Sequence, residues 1–208
     1  MNQSTTRLYL VTPPAFEPAA FASLLARILD AGDVAALRVR LPGADETVVA
    51  RAVSALLPLT QARDVALLID GDAQLARKLG CDGVHVAAAA VADARAVLGD
   101  AVSIGAACGS SYDAAMNAAE AGADYVAFGP TVGPNAVAAE TVHDWATGMV
   151  VPCVIGGGLT LQNATAWIAT QAEFLAIGRA LWAAPDGAPA ALRGLNQLLA
   201  DAAEAASA

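Results

Sequence analysis

Two glycine-rich runs near the C-terminal end of the chain carry the most legible chemistry: Ile155-Gly156-Gly157-Gly158-Leu159-Thr160 and Ile177-Gly178-Arg179-Ala180-Leu181. Lacking a Cβ, glycine lets the backbone come close to a ligand and turn successive N–H groups toward an oxyanion. The second run adds an arginine. Either run alone could be a tight turn, but the two together read as a phosphate grip built from Gly157, Gly158, Ile177, Gly178 and Arg179.

Other candidates are scattered along the chain. Arg38 and Arg40 sit in the apolar run Ala35–Arg40. One is expected to point into the core of a sheet fold and the other outward, with Arg40 better placed to reach a phosphate or diphosphate. Asp70 follows the run Val65–Ile69, where a carboxylate can meet Mg²⁺ or a ligand nitrogen. A lone carboxylate holds magnesium only when the substrate contributes phosphate oxygens. Asp72 reads equally well as an early-helix carboxylate facing the dipole. His85 ends the run Gly83–Val86 and could act as acid or base, since an unperturbed imidazole titrates at about 6.5. A structural histidine satisfied within the barrel wall is the preferred reading. Cys108-Gly109-Ser110-Ser111 offers a thiol, but no basic partner is evident beside it. One of the two serines reads as a helix cap. His143 falls in an irregular segment and reads as a surface residue.

Composition narrows the ligand. The chain has 208 residues, 57% of them hydrophobic and 15% charged, which excludes a disordered polymer and suits one domain with a sizeable core. With 11 basic against 20 acidic residues, the formal charge is −9, and Lys78 is the sole lysine. Such a surface repels nucleic-acid backbones. An anionic ligand must therefore be held locally, by backbone N–H groups or a few arginines. Apolar runs are far shorter than the roughly 20 residues of a membrane span. The polar start Met1–Arg7 lacks the order of a secretory signal. A soluble, cytoplasmic protein is expected. Cys81, Cys108 and Cys153 form neither a disulfide framework nor a zinc pattern.

The elements that would position these residues alternate regularly. Strand-like runs at Leu8–Thr12, Ala35–Arg40, Val65–Ile69, Gly83–Val86, Val102–Ala106, Tyr125–Phe128, Val151–Ile155 and Phe174–Ile177 are separated by Ala-rich stretches of helical spacing. Continuously apolar strands suit a parallel sheet covered on its outer face. About eight β-then-α repeats predict a single (β/α)₈ TIM barrel over residues 1–208, with a doubly wound open sheet as the alternative. The segment Thr131–Thr147 is the least regular and reads as a loop followed by a helix. The phrases Ala31-Gly32-Asp33, Leu79-Gly80-Cys81-Asp82 and Ala121-Gly122-Ala123-Asp124 read as glycine C-caps leading into strands. In a barrel, ligand groups gather at the C-terminal ends of the strands, and loops seven and eight are the usual phosphate site. Both glycine runs fall there.

The strand words also resemble a known family. Leu8-Tyr9-Leu10-Val11-Thr12, Gly83-Val84-His85, the block Gly122–Pro130, and Ile155-Gly156-Gly157 with Asn163 are similar, in order, to the thiamine-phosphate synthases. The resemblance implies a (β/α)₈ barrel that joins an aminopyrimidine diphosphate to a thiazole phosphate and releases pyrophosphate, with Mg²⁺. It implies thiazole-phosphate binding by Gly157, Gly158 and the backbone from Ile177 to Arg179. It also implies diphosphate contacts from Arg40, Arg38 and Ser110. Asp70 would be the magnesium ligand, and His85, Cys108, Gly129 and Thr131 would line the substrate pocket. A homo-oligomer is compatible with it. Several family positions read differently. The second-strand lysine falls on Pro42, and the Asn-Asp pair after strand three reads Asp70-Gly71. The second magnesium carboxylate falls within Ala87-Ala88-Ala89-Ala90, the strand-five histidine is Gly109, and the lysine loop after strand six is Thr131-Val132-Gly133-Pro134-Asn135. The alternatives are a relative that binds a phosphorylated ligand without diphosphate chemistry, or an isomerase of the thiazole tautomerase type.

Overall fold

The structure, a computed structural model, describes residues 6–207. Eight parallel strands close on themselves in sequence order: β1 (Arg7–Val11), β2 (Ala36–Val39), β3 (Ala66–Asp70), β4 (Gly83–Ala87), β5 (Ser103–Gly109), β6 (Tyr125–Phe128), β7 (Cys153–Gly156) and β8 (Phe174–Ile177). Helices α1 (Pro18–Leu29), α2 (Glu46–Gln61), α3 (Ala73–Leu79), α4 (Val91–Leu98), α5 (Tyr112–Glu120), α6 (Ala139–Gly148) and α7 (Leu161–Ile168) separate them. After β8 come the single turn α8 (Arg179–Trp182) and the long α9 (Ala188–Ser207). The (β/α)₈ barrel is therefore the fold, and the open sheet is excluded by the β1–β8 pairing. The irregular stretch resolves into a loop and α6, while the glycine-arginine run after β8 includes the helical turn α8. No helix among the described residues is long and apolar enough to cross a membrane.

Local chemistry sets the element ends. Asp45, Asp72 and Ser111 accept backbone N–H bonds as N-caps of α2, α3 and α5, and Thr160 with Asn163 forms a capping box on α7. Gly80 is the left-handed C-cap of α3. Gly32 departs from that expectation, because its need is closeness: a Cβ there would strike the Asn196 side chain of α9. The acid that follows such phrases has a task of its own. Asp82 accepts the Leu67 N–H at 2.7 Å and Asp124 accepts the Ile104 N–H at 2.7 Å. Glu173 accepts the Cys153 N–H at 2.8 Å. These carboxylates stitch neighbouring strands at the N-terminal rim of the barrel, on the far side from the ligand face.

Successive strand residues point to opposite faces. One parity (Leu8, Leu10, Leu37, Leu67, Ile69, Val84, Ile104, Val126, Ile155, Leu175) packs against the helices in the main core. The other parity fills the barrel, with Tyr9, Ala36, Leu68, Tyr125 and Val154 forming a second cluster. Space for the Tyr125 ring comes from Gly105 on the neighbouring strand, where any Cβ would fall on the ring itself. Gly105→Ala is expected to lower stability by about 1–3 kcal/mol through overpacking. Chemical denaturation checks this, and an unchanged midpoint would mean that the interior has slack.

Candidate functional site

Two arginines and one carboxylate meet at the C-terminal mouth. Arg38 Nε and Nη2 both donate to the Asp70 carboxylate, the second at 3.2 Å. Arg40 Nε approaches the same oxygen that Arg38 Nη2 meets, Asp70 Oδ2, at 3.5 Å. The expectation that the two arginines face opposite ways is corrected here. Residues two apart on a strand share a face, so both reach into the mouth. The Arg38 side chain is 18% exposed and that of Arg40 is 51% exposed, which makes Arg38 the inner and Arg40 the outer cation. Burial is the largest influence and works against the Arg38 charge, but the hydrogen bond to Asp70 and the attraction of Tyr9, Asp70 and Tyr125 together outweigh it, and its pKa is raised. Thr12, buried at the end of β1, fixes the outer arginine: its Oγ1 accepts the Arg40 N–H at 3.0 Å.

Below this pair lies a polar row inside the barrel. Tyr125 Oη stands 2.9 Å from Tyr9 Oη and 3.0 Å from His85 Nδ1. Burial pushes the Tyr9 hydroxyl up to about 12 and the Tyr125 hydroxyl well above its ordinary value. Burial, reinforced by Arg38 and Arg40, holds the His85 pKa well below the usual histidine value, so the ring is neutral at neutral pH. The sequence reading found His85 but missed Tyr9, Tyr125 and Thr12. A hydroxyl-bearing residue at an inward position of an otherwise apolar strand was the available signal.

The glycine loops sit at another part of the mouth. Gly157 has φ +81° and Gly158 φ +125°, conformations that side chains resist. A Cβ on Gly158 would also come within 2.9 Å of Thr131 Oγ1. Thr131 braces the loop: its N–H and its Oγ1 both donate to the Gly157 carbonyl, at 2.9 and 3.3 Å. Gly129 lies against the Gly156 carbonyl, too close for any side chain. From the other side, Asn163 Nδ2 donates to the Gly158 carbonyl at 3.0 Å. With these carbonyls engaged, the N–H groups of Gly157, Gly158 and Arg179 make no hydrogen bond among the described residues and are open to an anion. Gly178 packs its Cα against the Val11 carbonyl, which also accepts Trp182 Nε1 at 2.7 Å. Ile177 faces the helices, so only its backbone belongs to the rim.

Two candidates are placed elsewhere. Cys108 lies in the layer between strands and helices, with Sγ 3.4 Å from the Ala106 carbonyl and its thiol pushed by burial up to about 11. A β-bulge between Ala107 and Gly109 shifts the register there, and Cys108 stays on the outward parity of Ala106. Ser111, not Ser110, caps α5, and Ser110 is exposed on the turn after β5. A surface hollow of about 440 Å³ beside α3 is lined by Glu46, Asp72 and Lys78 among others, and by neither the arginine pair nor the glycine loops.

The donors at the mouth do not suit a resident Mg²⁺. Both Asp70 oxygens face arginines, and Glu17, Asp45 and Asp72, which follow β1, β2 and β3, use their carboxylates as helix caps. Among the described residues no cluster of three or more His, Cys, Asp or Glu could hold a metal.

The fold and these loops define a (β/α)₈ barrel with a rim of open backbone N–H groups. The sequence matches the family model described as thiamine monophosphate synthase over residues 8–181, and the chain belongs to that family. Relatives named thiamine-phosphate synthase include one from Rhodospirillum centenum, 43% identical over 201 residues, covering 93% of this chain and 97% of the relative. Another, from Hyphomonas neptunium, is 42% identical over 206 residues and covers 93% of each chain. Among solved structures, thiamine phosphate pyrophosphorylase from Pyrococcus furiosus superposes with a TM-score of 0.84 at 22% identity, covering 96% of this chain and 98% of that one.

All three cysteines are buried, and burial raises each thiol pKa, to about 11 for Cys81 and Cys108 and further for Cys153. At pH 8 the native protein is expected to leave a thiol reagent unconsumed, whereas in urea three equivalents should react. Rapid labelling of one native thiol would show that Cys108 reaches the mouth after all.

Proposed function

We propose that the protein is a thiamine-phosphate synthase-type transferase whose mouth takes two phosphorylated heterocycles at separate places. The braced Gly157–Gly158 loop, together with the Arg179 N–H, would receive the phosphate of the thiazole partner. Arg40 and Arg38 would face the diphosphate of the aminopyrimidine partner. In the reaction the thiazole nitrogen attacks the exocyclic methylene of the pyrimidine. A C–N bond forms, the C–O bond to the diphosphate breaks, and pyrophosphate departs with the electron pair. Positive groups fixed where that charge develops are the main lever available to the protein.

The observation that carries this reading is the arginine pair on Asp70, combined with the open N–H groups of the glycine rim. Family members use Mg²⁺ at the diphosphate. Here the carboxylate that magnesium would need serves as counter-ion to the two arginines, so charge neutralisation is assigned to Arg38 and Arg40. Pro42, Gly109 and Ala87–Ala90 remove groups that the resemblance associates with catalysis. A barrier higher by several kcal/mol, hence turnover slower by orders of magnitude than in relatives that keep them, is expected. The same features favour, as a second reading, a protein that binds phosphorylated heterocycles without diphosphate chemistry. The isomerase alternative is disfavoured, because Cys108 faces away from the mouth.

Thiamine phosphate formation from the two purified precursors decides between them. Slow turnover is expected, with Arg40→Ala lowering it a further 10²–10³-fold or so. Turnover that is indifferent to Arg40 would sink the arginine assignment. No product from a protein that thiamine phosphate still stabilises against heat would establish the binding-only reading.

A further inference from the structure

The arginine pair and the turn α8 flank the same strand, since β1 pairs with β2 on one side and with β8 on the other. Neither flank is secured by its own element. Arg40 stands one residue beyond the end of β2, and its 3.5 Å ion pair with Asp70 is half exposed, so that contact adds little. The turn α8 has four residues, and a single helical turn does not hold itself in water. Both flanks are tied instead to the end of β1. Thr12 Oγ1 accepts the Arg40 N–H at 3.0 Å and lies 3.5 Å from the Arg40 carbonyl. The Thr12 N–H donates to the Arg38 carbonyl at 3.0 Å. The buried Thr12 thereby carries the β1–β2 ladder one step past both strand ends, and it fixes the backbone from which the outer cation extends.

The preceding residue serves the other flank. The Val11 carbonyl accepts Trp182 Nε1 at 2.7 Å. The Trp182 ring meets Phe21 of α1 edge-on, with centroids 5.1 Å apart, and Phe21 packs in turn on Phe16. Apolar packing thus aims the indole at β1, and its N–H pins the last residue of the turn that opens with Gly178 and Arg179. We propose that Val11 and Thr12 form a common brace for the mouth, in which Thr12 positions Arg40 and Trp182 positions the Gly178–Arg179 backbone. Each acts through the main chain it holds, so each serves one ligand: Thr12 the diphosphate, Trp182 the thiazole phosphate. This division between ligands rests on the reading of the mouth above. The brace itself rests on hydrogen bonds of the free protein.

Hydrogen exchange followed by NMR in the full, ligand-free chain tests the brace. The Arg40 amide is expected to exchange as slowly as the Thr12 amide of the ladder, a comparison that needs no substituted chain to fold. The Trp182 indole N–H, assigned by its absence from Trp182→Phe, should be protected likewise. Exchange of either hydrogen at the rate of a free loop amide would overturn the brace, whatever the turnover. Thr12→Val keeps the branched shape without the hydroxyl and should release the Arg40 amide, while Thr12→Ser should retain it. Calorimetry then tests the division between ligands, using thiazole phosphate alone and inorganic pyrophosphate with thiazole phosphate saturating, so that the glycine loop is already filled. Thr12→Val should weaken pyrophosphate roughly fivefold and leave thiazole phosphate unchanged, with Thr12→Ser restoring the loss. Trp182→Phe, which keeps an aromatic ring on Phe21, should do the converse. Equal weakening of both ligands, or of neither, would mark a merely structural role and overturn the positioning assignment. A wild-type chain that binds neither ligand would sink the reading of the mouth, and with it the division, while exchange still decides the brace.

Discussion

Every second residue of eight short strands must enter a space that holds little water, and this constraint organises the molecule. Much of that inward parity is small: Ala36, Ala66, Gly83, Gly105, Ala127, Gly156 and Ala176. The small positions leave room for a few large side chains, each lodged against a neighbour that yields space, as Tyr125 does over Gly105. Because the large ones are tyrosine, histidine and arginine as well as leucine, the interior is partly polar. A polar atom without a partner in such a place costs a few kcal/mol or more. The pair Arg38–Asp70 and the row Tyr9–Tyr125–His85 are how these groups satisfy one another, so packing and hydrogen bonding there cannot be varied independently.

The same constraint sets the electrostatics of the mouth. Arg38 is mostly buried in a chain of net charge −9, and its charge persists because Asp70 accepts two of its N–H groups. Arg40 shares that carboxylate from the outside. Two cations against one anion leave one positive charge at the mouth, while the rest of the surface is acidic. Screening confines the repulsion from that surface to about 8–10 Å at ordinary ionic strength, so the local pair and the open N–H groups of the glycine loop set the potential at the mouth. The loop needs no charge of its own. Thr131 and Asn163 engage its carbonyls, and what remains directed outward is donor.

What the sequence disclosed followed the range of the interactions. Element order was readable, since continuously apolar strands and Ala-rich helices are local patterns, as were the glycine runs of loops seven and eight. The N-terminal rim was half legible: the phrases before β4 and β6 were read as punctuation, while the strand-to-strand bonds of Asp82 and Asp124 were not foreseen. Tyr9 and Tyr125 are separated by 116 residues, and only the closing of the barrel brings their hydroxyls together. Cys108 was misplaced because the period of two sets it, with Ala106, on the helix-facing side of β5 despite its nearness along the chain to the mouth. The arginine pair was misjudged for a simpler reason, the period of two that places Arg38 and Arg40 on one face.

That period also gives a physical account of the altered catalytic face. The resemblance sets an Asn-Asp pair on Asp70-Gly71, so the acid stands one residue earlier than in the family pattern. The difference is larger than one step suggests. Residue 71 has φ +80° and has already left the strand, so a carboxylate there would stand in the loop above the mouth. At residue 70 the carboxylate is still on the strand, on the inward parity shared with Leu68 and level with His85, within reach of both arginines. An acid in the loop is suited to meet a metal arriving with its diphosphate. An acid on the strand is bound to the arginines before any ligand comes. In the proposed reading, a carboxylate one residue earlier is the counter-ion of cations already present instead of a place for a metal, and Ala87–Ala90, where the resemblance sets a second magnesium carboxylate, accord with it.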